Sequence, residues 1–583
     1  MSAPDRGLAW IVGVSLVLRL AAYLWVLGAE VPLLFDEQGY FDRAVAWHDL
    51  FVGWVQGEGW SQDAWAQAYG LGHWPPLHSM LLAVVFLVGG PSVALARGVP
   101  VVLSVLTTLW VYRVGRRLVG EPGARAGAWL HAVYPTFIVY SHLLWAETTY
   151  CFLLLVTVGA TLRALGAPAE STRLQSATWA GLGLGLTALT KAAALPYLLA
   201  VPVWLGIRLR RRSQVSVAPW VLLAVALSTI FPWQMALFEA EQRPVALSTL
   251  GGFNLALGNN PWVPPGLGSS WGHETSKAQL MEALRDDAAR QSVDGPPVPW
   301  EAVAMPFAWR VIVDEPWTFA VRGLERLRML WAPDFFPLRH LFKAVYPPLA
   351  PKLVGVLAMV GVTSYFVLTA LILWGLFDRR LSRPLGLVVL LVVVGMALPA
   401  VSIGMSRLHM PLLVLLLPIA GRSLIYRWRG RPFPRRTFRA LLLFVGIVLS
   451  GLGGVVRLHL VPSSHYAAVL DPVARALGQR MVYSDRLELR RTAACRGLLT
   501  LGLAGPTTRF HDGSRTFLWR PAAPSLKLDV FSETDSPELV VESPYLQTPQ
   551  RLRPVEPGAW RTWRSLGVSG CTVRWTGGGR SPH

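Results

Sequence analysis

The chain is 583 residues long, 53% hydrophobic and only 15% charged, with a mean hydropathy of +0.42. That balance departs from an ordinary soluble domain and fits a polytopic membrane protein. A net charge of +20 would suit a nucleic-acid binder if it formed one patch, but the basic residues fall in short gaps between apolar runs, which is a topology pattern, so no nucleic acid is expected as a partner.

Apolar runs near the length needed to cross a bilayer recur along the first 460 positions. The first, "LAWIVGVSLVLRLAAYLWVLG" at 8–28, has no short apolar core with a small-residue cleavage site and reads as a retained helix. Basic clusters follow: "RVGRRL" (113–118), "RLRRR" (208–212), "DRRLSR" (378–383) and "RWRGRPFPRRTFR" (427–439). Eleven spans put all four, and Arg6, on the cytoplasmic side: 8–28, 95–117, 124–141, 146–163, 176–190, 192–209, 218–238, 352–376, 384–404, 408–424 and 438–458. The apolar part of "PPLHSMLLAVVFLVGG" (75–90) is short for a crossing and reads as interfacial or re-entrant; counting it would move "RVGRRL" outside.

Three segments then become external: 29–94, 239–351 and the tail 459–583. The middle one joins "LGNNPWVPPGLGSSWG" (257–272), rich in turn formers, to "ETSKAQLMEALRDDAARQ" (274–291), which has helical spacing. The tail carries short strand-like stretches, "RTFLWR", "LKLDVF" and "ELVVES", between turn residues. The expected fold is thus an all-α membrane domain over 1–458 with interfacial helices in its first loop, followed by a small α+β or β-rich external domain over 459–583. Cys495 and Cys571 lie in that tail, where a disulfide and two separate thiols are both open, while Cys151 lies within a span.

Polar residues gather at the external ends of these spans: Asp36, Glu37 and Asp42 after the first, His73 and His78 around "WPP", Glu147 in "SHLLWAETTY", Lys191 in "LTALTKAAALP", and Arg407 and His409 in "GMSRLHMP". Singly, an acid after a helix is ordinary surface chemistry and Lys191 is a snorkelling cation. Converging from at least four helices, they supply a general base and cations for an anionic leaving group beside lipid, which suits transfer from a lipid phosphate. The closely spaced glycines of "GLGLGL" (181–186) lie inside a span without a βαβ unit and read as helix packing, not nucleotide binding. Arg19, in the middle of the first span, is expected to face the bundle interior.

The Asp36–Glu37 pair, "WPPL", "LARGVPVVLSVLTTLWVYRVGRRLVG", Glu147, "GLGLGLTALTK", "FPW" (231–233), "GGFNLALGNNP" (251–261) and "SRLHMP" occur in this order. Across residues 8–425 they resemble the glycosyltransferase family 39 and aminoarabinose-transferase-like group of the GT-C superfamily, which transfers sugars from polyprenyl-phosphate donors. The resemblance implies Asp36 as the principal catalytic carboxylate, with Glu37 and Glu147 beside it. Lys191 and Arg407 match its basic positions, and Tyr40, Asp42, His73, His78, Asn259, Asn260 and His409 join them as substrate-binding residues. Leu408 stands where the pattern has Tyr, and His73–Trp74 stand where aminoarabinose transferases have an acid–Lys pair, which leaves a hexose or mannose donor as open as aminoarabinose.

The implied activity is inverting transfer from a polyprenyl-phosphate sugar to a lipid, glycan or protein acceptor at the outer face of the cell membrane. No zinc spacing occurs, so no structural metal is expected and no cofactor is called for; a divalent ion held by Asp36 and Glu147 with donor phosphate oxygens is left open. The competing readings are a transporter or flippase of lipid-linked glycans, and a membrane scaffold with a sensing tail. The topology is directly testable: a reporter fused after residue 459 should behave as external and one between 208 and 216 as cytoplasmic, and an even span count would reverse the first result.

Overall fold

The computed structural model describes residues 6–459, apart from 30, 32, 34–35, 58–61, 70–73, 265, 272–273, 293–297, 343–345, 347–348 and 378–383, together with residue 472 and eight strands between 483 and 576. His73, Cys495, Cys571 and the 378–383 basic cluster therefore lie outside the described residues. Contacts divide the chain into two units, Met1–Asp334 with Gly361–Leu452, and Phe335–Val360 with Gly453–His583.

The helices run α1 (Arg6–Gly28), α2 (Asp36–Val55), α3 (Gln62–Tyr69), α4 (Leu77–Gly89), α5 (Val93–Val119), α6 (Glu121–Val133), α7 (Pro135–Tyr140), α8 (Glu147–Gly166), α9 (Glu170–Thr190), α10 (Tyr197–Arg210) and α11 (Ala218–Glu241). They continue as α12 (Leu250–Gly258), α13 (Glu274–Gln291), α14 (Trp300–Asp314), α15 (Pro316–Leu330), α16 (Phe335–Phe342), α17 (Pro351–Phe377), α18 (Leu385–Val401), α19 (Met410–Trp428) and α20 (Arg435–His459). Ten of the eleven expected spans each fall on one of these helices, in part with a short turn before it, while 124–141 is divided between α6 and α7. Among the described residues, seven segments are long and apolar enough to cross a membrane: α1, α5, α8, α11, α17, and α10 and α19 with the short turns that precede them. The chain is a multi-pass membrane protein. The expected span 124–141 is broken because Pro135 lacks an N–H and forces its predecessor out of the helix: Tyr134 sits at φ −68°, ψ 123° and Pro135 restarts the chain as α7. The 75–90 stretch forms the 13-residue α4, about 20 Å long and shorter than a bilayer core.

The first loop supplies α2, α3 and α4, and the second α12 to α16. In the tail, β1 (Tyr483–Leu489), β2 (Thr508–His511), β3 (Thr516–Trp519), β4 (Lys527–Ser532), β5 (Leu539–Glu542), β6 (Gln550–Pro554), β7 (Arg561–Ser565) and β8 (Thr572–Thr576) form one antiparallel sheet in the order β3-β2-β5-β6-β7-β8-β1-β4. Three of these strands, β3, β4 and β5, are the stretches read from the sequence. Pairing between strands distant in sequence joins β2 to β5 and β1 to both β8 and β4, with Leu487 opposite both Trp575 and Leu528.

Inside the first unit, small residues set helix spacing. A Cβ on Gly181 would lie 2.5 Å from the Leu222 carbonyl of α11, one on Gly185 2.5 Å from Thr229 Cβ, and one on Gly183 2.9 Å from Thr157 Oγ1 of α8. The "GLGLGL" run thus lets α9 wedge between α8 and α11, the close approach that drives association where lipid offers no hydrophobic gain. Arg19 is fully buried and donates to Ser104 Oγ at 2.6 Å and to the Ser15, His131 and Ala132 carbonyls, so it ties α1 to α5 and α6. Gly185→Val should lower thermal stability of the detergent-purified protein by about 1–3 kcal/mol through overpacking. Gly13→Ala, where a Cβ meets nothing within 4 Å, should not; equal melting of the two variants would reject the wedge.

Candidate active site

Four helix ends carry the charged cluster. Asp36 opens α2 and Glu147 opens α8, where unpaired backbone N–H groups and the helix dipole favour an anion. Lys191 stands where α9 stops, in extended backbone at φ −149°, ψ 128°, with Pro196 just ahead of α10. Arg407 lies in the 3₁₀ turn Ser406–His409, entered from an extended Met405 and followed by Pro411 in the first turn of α19.

These ends meet. Arg407 Nη1 is 2.8 Å from Asp36 Oδ2, its Nε is 3.5 Å from Glu147 Oε1, and Lys191 Nζ donates to that same Glu147 oxygen at 2.6 Å. The guanidinium also lies over the Trp145 indole, 5.1 Å from the ring centroid, a cation–π contact. Charges therefore alternate along Asp36, Arg407, Glu147 and Lys191. Their side-chain exposures are unequal: 31% for Asp36, 17% for Arg407, 18% for Lys191 and 2% for Glu147. Asp36 is the carboxylate a solvent-borne group can reach.

One turn after Asp36, Tyr40 is buried. Burial first, then the negative charges of Asp36 and Glu147, push its phenol upward, so it stays protonated. It is a neutral wall of the cluster.

A second layer holds these ends in place. Glu37 is buried, accepts from the Leu144 backbone N–H at 3.0 Å and lies 3.9 Å from Arg97. His78 is fully buried; its Nε2 donates to the Leu144 carbonyl at 3.0 Å, which leaves Nδ1 to accept from Thr149 at 2.9 Å. Burial pushes the His78 ring down to about 4, so it is neutral and joins α4 to the loop before α8. His409 is likewise buried, with Nδ1 donating to the Leu330 carbonyl and Nε2 to Asp334, each at 2.6 Å. Asp334 also accepts from Tyr134 at 3.0 Å and Thr136 at 2.6 Å, the two residues that the α6–α7 break presents. The imidazole stacks against Trp331 and Tyr365.

Other residues singled out in the sequence do not join the cluster. Asp42 is exposed and accepts from Gln38 at 2.6 Å. Asn259 and Asn260 are buried and bonded to protein groups: Asn259 donates to the Leu255 and Val401 carbonyls and accepts from Arg326, tying its turn to α15 and α18, and Asn260 closes the turn by donating to the Ala256 carbonyl and Ser270. Sequence reasoning missed Trp145 and Asp334. The signal for Asp334 was present as a lone acid in the aromatic run "WAPDFFP". The cation bridging Asp36 and Glu147 is Arg407 itself; among the described residues no three His, Cys, Asp or Glu side chains gather as a metal set.

Residues 73–235 match the family model described as dolichyl-phosphate-mannose-protein mannosyltransferase, in agreement with the resemblance read from the motifs. Glu147 and Lys191 fall within the matched segment; Asp36 and Arg407 lie outside it. No curated protein matches the chain. Among solved structures, the chain is similar to the Saccharomyces cerevisiae protein O-mannosyltransferase Pmt1–Pmt2 complex bound to the sugar donor, at 18% identity and TM-score 0.33, over 41% of this chain and 34% of that one. It is also similar to an Archaeoglobus fulgidus oligosaccharyltransferase, at 14% and 0.40 over 76% and 55%, and to ArnT from Cupriavidus metallidurans bound to undecaprenyl phosphate, at 15% and 0.30 over 73% and 79%. The chain thus spans about a third of the yeast structure and about half of the archaeal one.

The second layer makes a prediction. Asp334→Ala would leave the His409, Tyr134 and Thr136 donors buried without their acceptor, and should lower thermal stability by about 3 kcal/mol. Asp42→Ala should leave it unchanged. Wild-type melting of the Asp334 variant would show that this anchor does not hold the turn carrying Arg407.

Proposed function

We propose that the chain is a GT-C-type membrane glycosyltransferase that moves a sugar from a polyprenyl-phosphate donor to an acceptor hydroxyl at the external face, with inversion. The observation that carries this reading is the charge chain itself. One accessible carboxylate, Asp36, pairs with Arg407, and a buried acid, Glu147, holds Arg407 and Lys191 together. The family match over 73–235 supports the same chemistry.

In this mechanism Asp36 accepts the proton of the acceptor group as that group attacks the anomeric carbon. The bond from that carbon to the phosphate oxygen breaks, and the polyprenyl phosphate leaves with both electrons. One displacement inverts the centre. Lys191 and Arg407 neutralise the departing phosphate, which is the stage at which preorganised cations contribute most. Because the lipid phosphate competes with Asp36 for Arg407, donor binding loosens the 2.8 Å ion pair and frees the carboxylate for its role as base. Glu147, too buried to meet substrate, positions both cations. Glu37 belongs to the support beneath.

The external face is supported by the basic clusters, which the positive-inside rule favours on the cytoplasmic side, opposite the charged helix ends. The acceptor is a lipid, glycan or protein that reaches this face.

Asp36→Asn keeps the shape of the side chain and removes its basicity, so sugar transfer should fall by about 10²- to 10⁴-fold with donor binding largely kept. Lys191→Ala should weaken donor binding as well as turnover, since the phosphate is charged before and after transfer. The assay is transfer of labelled sugar from a lipid-phosphate donor by folded, detergent-purified protein. Near-wild-type turnover by Asp36→Asn would rule out this base, and vectorial movement of a lipid-linked glycan without transfer would favour the transporter.

A further inference from the structure

Beside the charge chain lies an aromatic pair to which the charges assign no role. The Trp74 and Tyr40 rings are 4.9 Å apart at an interplanar angle of 30°. Tyr40 is buried while Trp74 is half-buried, so the accessible surface of the pair belongs to the indole. The indole is seated on α2 at Gly39: a Cβ there would stand 2.8 Å from both Cη2 and Cζ3 of Trp74. Its backbone is fixed as well, because Arg43 Nη1 donates to the Trp74 carbonyl at 2.6 Å while the same guanidinium holds the Ala68 and Tyr69 carbonyls, each at 2.8 Å. Pro75 and Pro76 follow and stiffen the exit.

We infer that Trp74, backed by Tyr40, forms the platform on which the pyranose ring of the donor sugar stacks. This subsite rests on the proposed function and names the part of the donor that it holds. Asp36, Gly39 and Tyr40 stand at positions i, i+3 and i+4 of one helix, hence on one face. A pyranose is about as wide as one helical turn of roughly 5.4 Å. A sugar whose anomeric carbon lies at Asp36 therefore extends its ring over the next turn, where the indole rests. The ring C–H bonds carry partial positive charge and pack on the negative π-face, while the hydroxyls stay at the rim.

The test compares two ligands, a synthetic polyprenyl-phosphate mannose and the same polyprenyl phosphate without sugar, binding to the detergent-purified full chain. Trp74→Leu should weaken the sugar-bearing lipid by about tenfold, the upper range for an aromatic contact, and leave the bare lipid unchanged. Trp74→Phe should recover most of that loss. Gly39→Ala, which favours the helix but drives its methyl into the indole, should weaken the sugar-bearing lipid severalfold, again without affecting the bare one. Equal losses for both lipids, or no loss for either, would overturn the platform while leaving the enzyme assignment standing. A wild-type protein that bound neither lipid would remove both.

Discussion

The contact on which the site depends is the one between Arg407 and its two carboxylates. A guanidinium with so little exposure is costly at a membrane boundary unless its charge is met nearby. Asp36 meets it at 2.8 Å and Glu147 at 3.5 Å, and Glu147 in turn holds Lys191. Two anions and two cations sum to zero, which lets four ionised groups persist in a small volume. The same neutrality makes the arrangement responsive, because an added phosphate dianion or diester unbalances it and must displace an existing partner. The partner that can leave for water is Asp36, the most exposed of the four.

Such a cluster is assembled at places where helices fail. Asp36 and Glu147 are first residues of helices, and Lys191 and Arg407 occupy extended or 3₁₀ segments between helices. In a lipid-facing bundle these breaks are tolerated only where neighbouring protein groups satisfy the freed backbone. His78 does so for the Leu144 carbonyl, Glu37 for the Leu144 N–H, and His409 for the Leu330 carbonyl. The second layer thus has two effects from one set of bonds: it removes unpaired backbone groups and it fixes the ends that carry charge.

Much of this arrangement was legible in the sequence, for physical reasons that differ by element. Helices that face lipid must be apolar over a set length, so their positions were plain, and the tail strands announced themselves by short β-rich runs between turn residues. The glycines of 181–186 could be read as packing because their context excluded a phosphate loop. Side-chain partnership was harder. Asp36 and Glu37 are neighbours in sequence, yet successive helical residues point about 100° apart, so one meets Arg407 and the other meets Leu144 and Arg97. Asn259 and Asn260 in a turn look alike whether they bind a ligand or the protein itself, and here Asn260 bonds its own turn while Asn259 also bonds Val401 and Arg326. Asp334 joins His409 from 75 residues away, a distance that no local pattern spans.

The difference between Asp36 and Glu147 follows from the same geometry. Both open a helix and both touch Arg407, so neither position in the chain nor proximity to a cation distinguishes them. Access does. Glu147 keeps 2% of its side-chain surface and engages two cations through one oxygen, so protonating it would disturb two ion pairs at once, leaving Lys191 without this partner and Arg407 with Asp36 alone. Asp36 has one such partner and an open side. Moving a proton onto Asp36 therefore disturbs a single ion pair, and it does so when a bound phosphate can take over that pair's cation. In the proposed mechanism a base works only where its own neutralisation is tolerated by the charges around it, a condition that Asp36, with one ion-pair partner and an open side, meets better than Glu147.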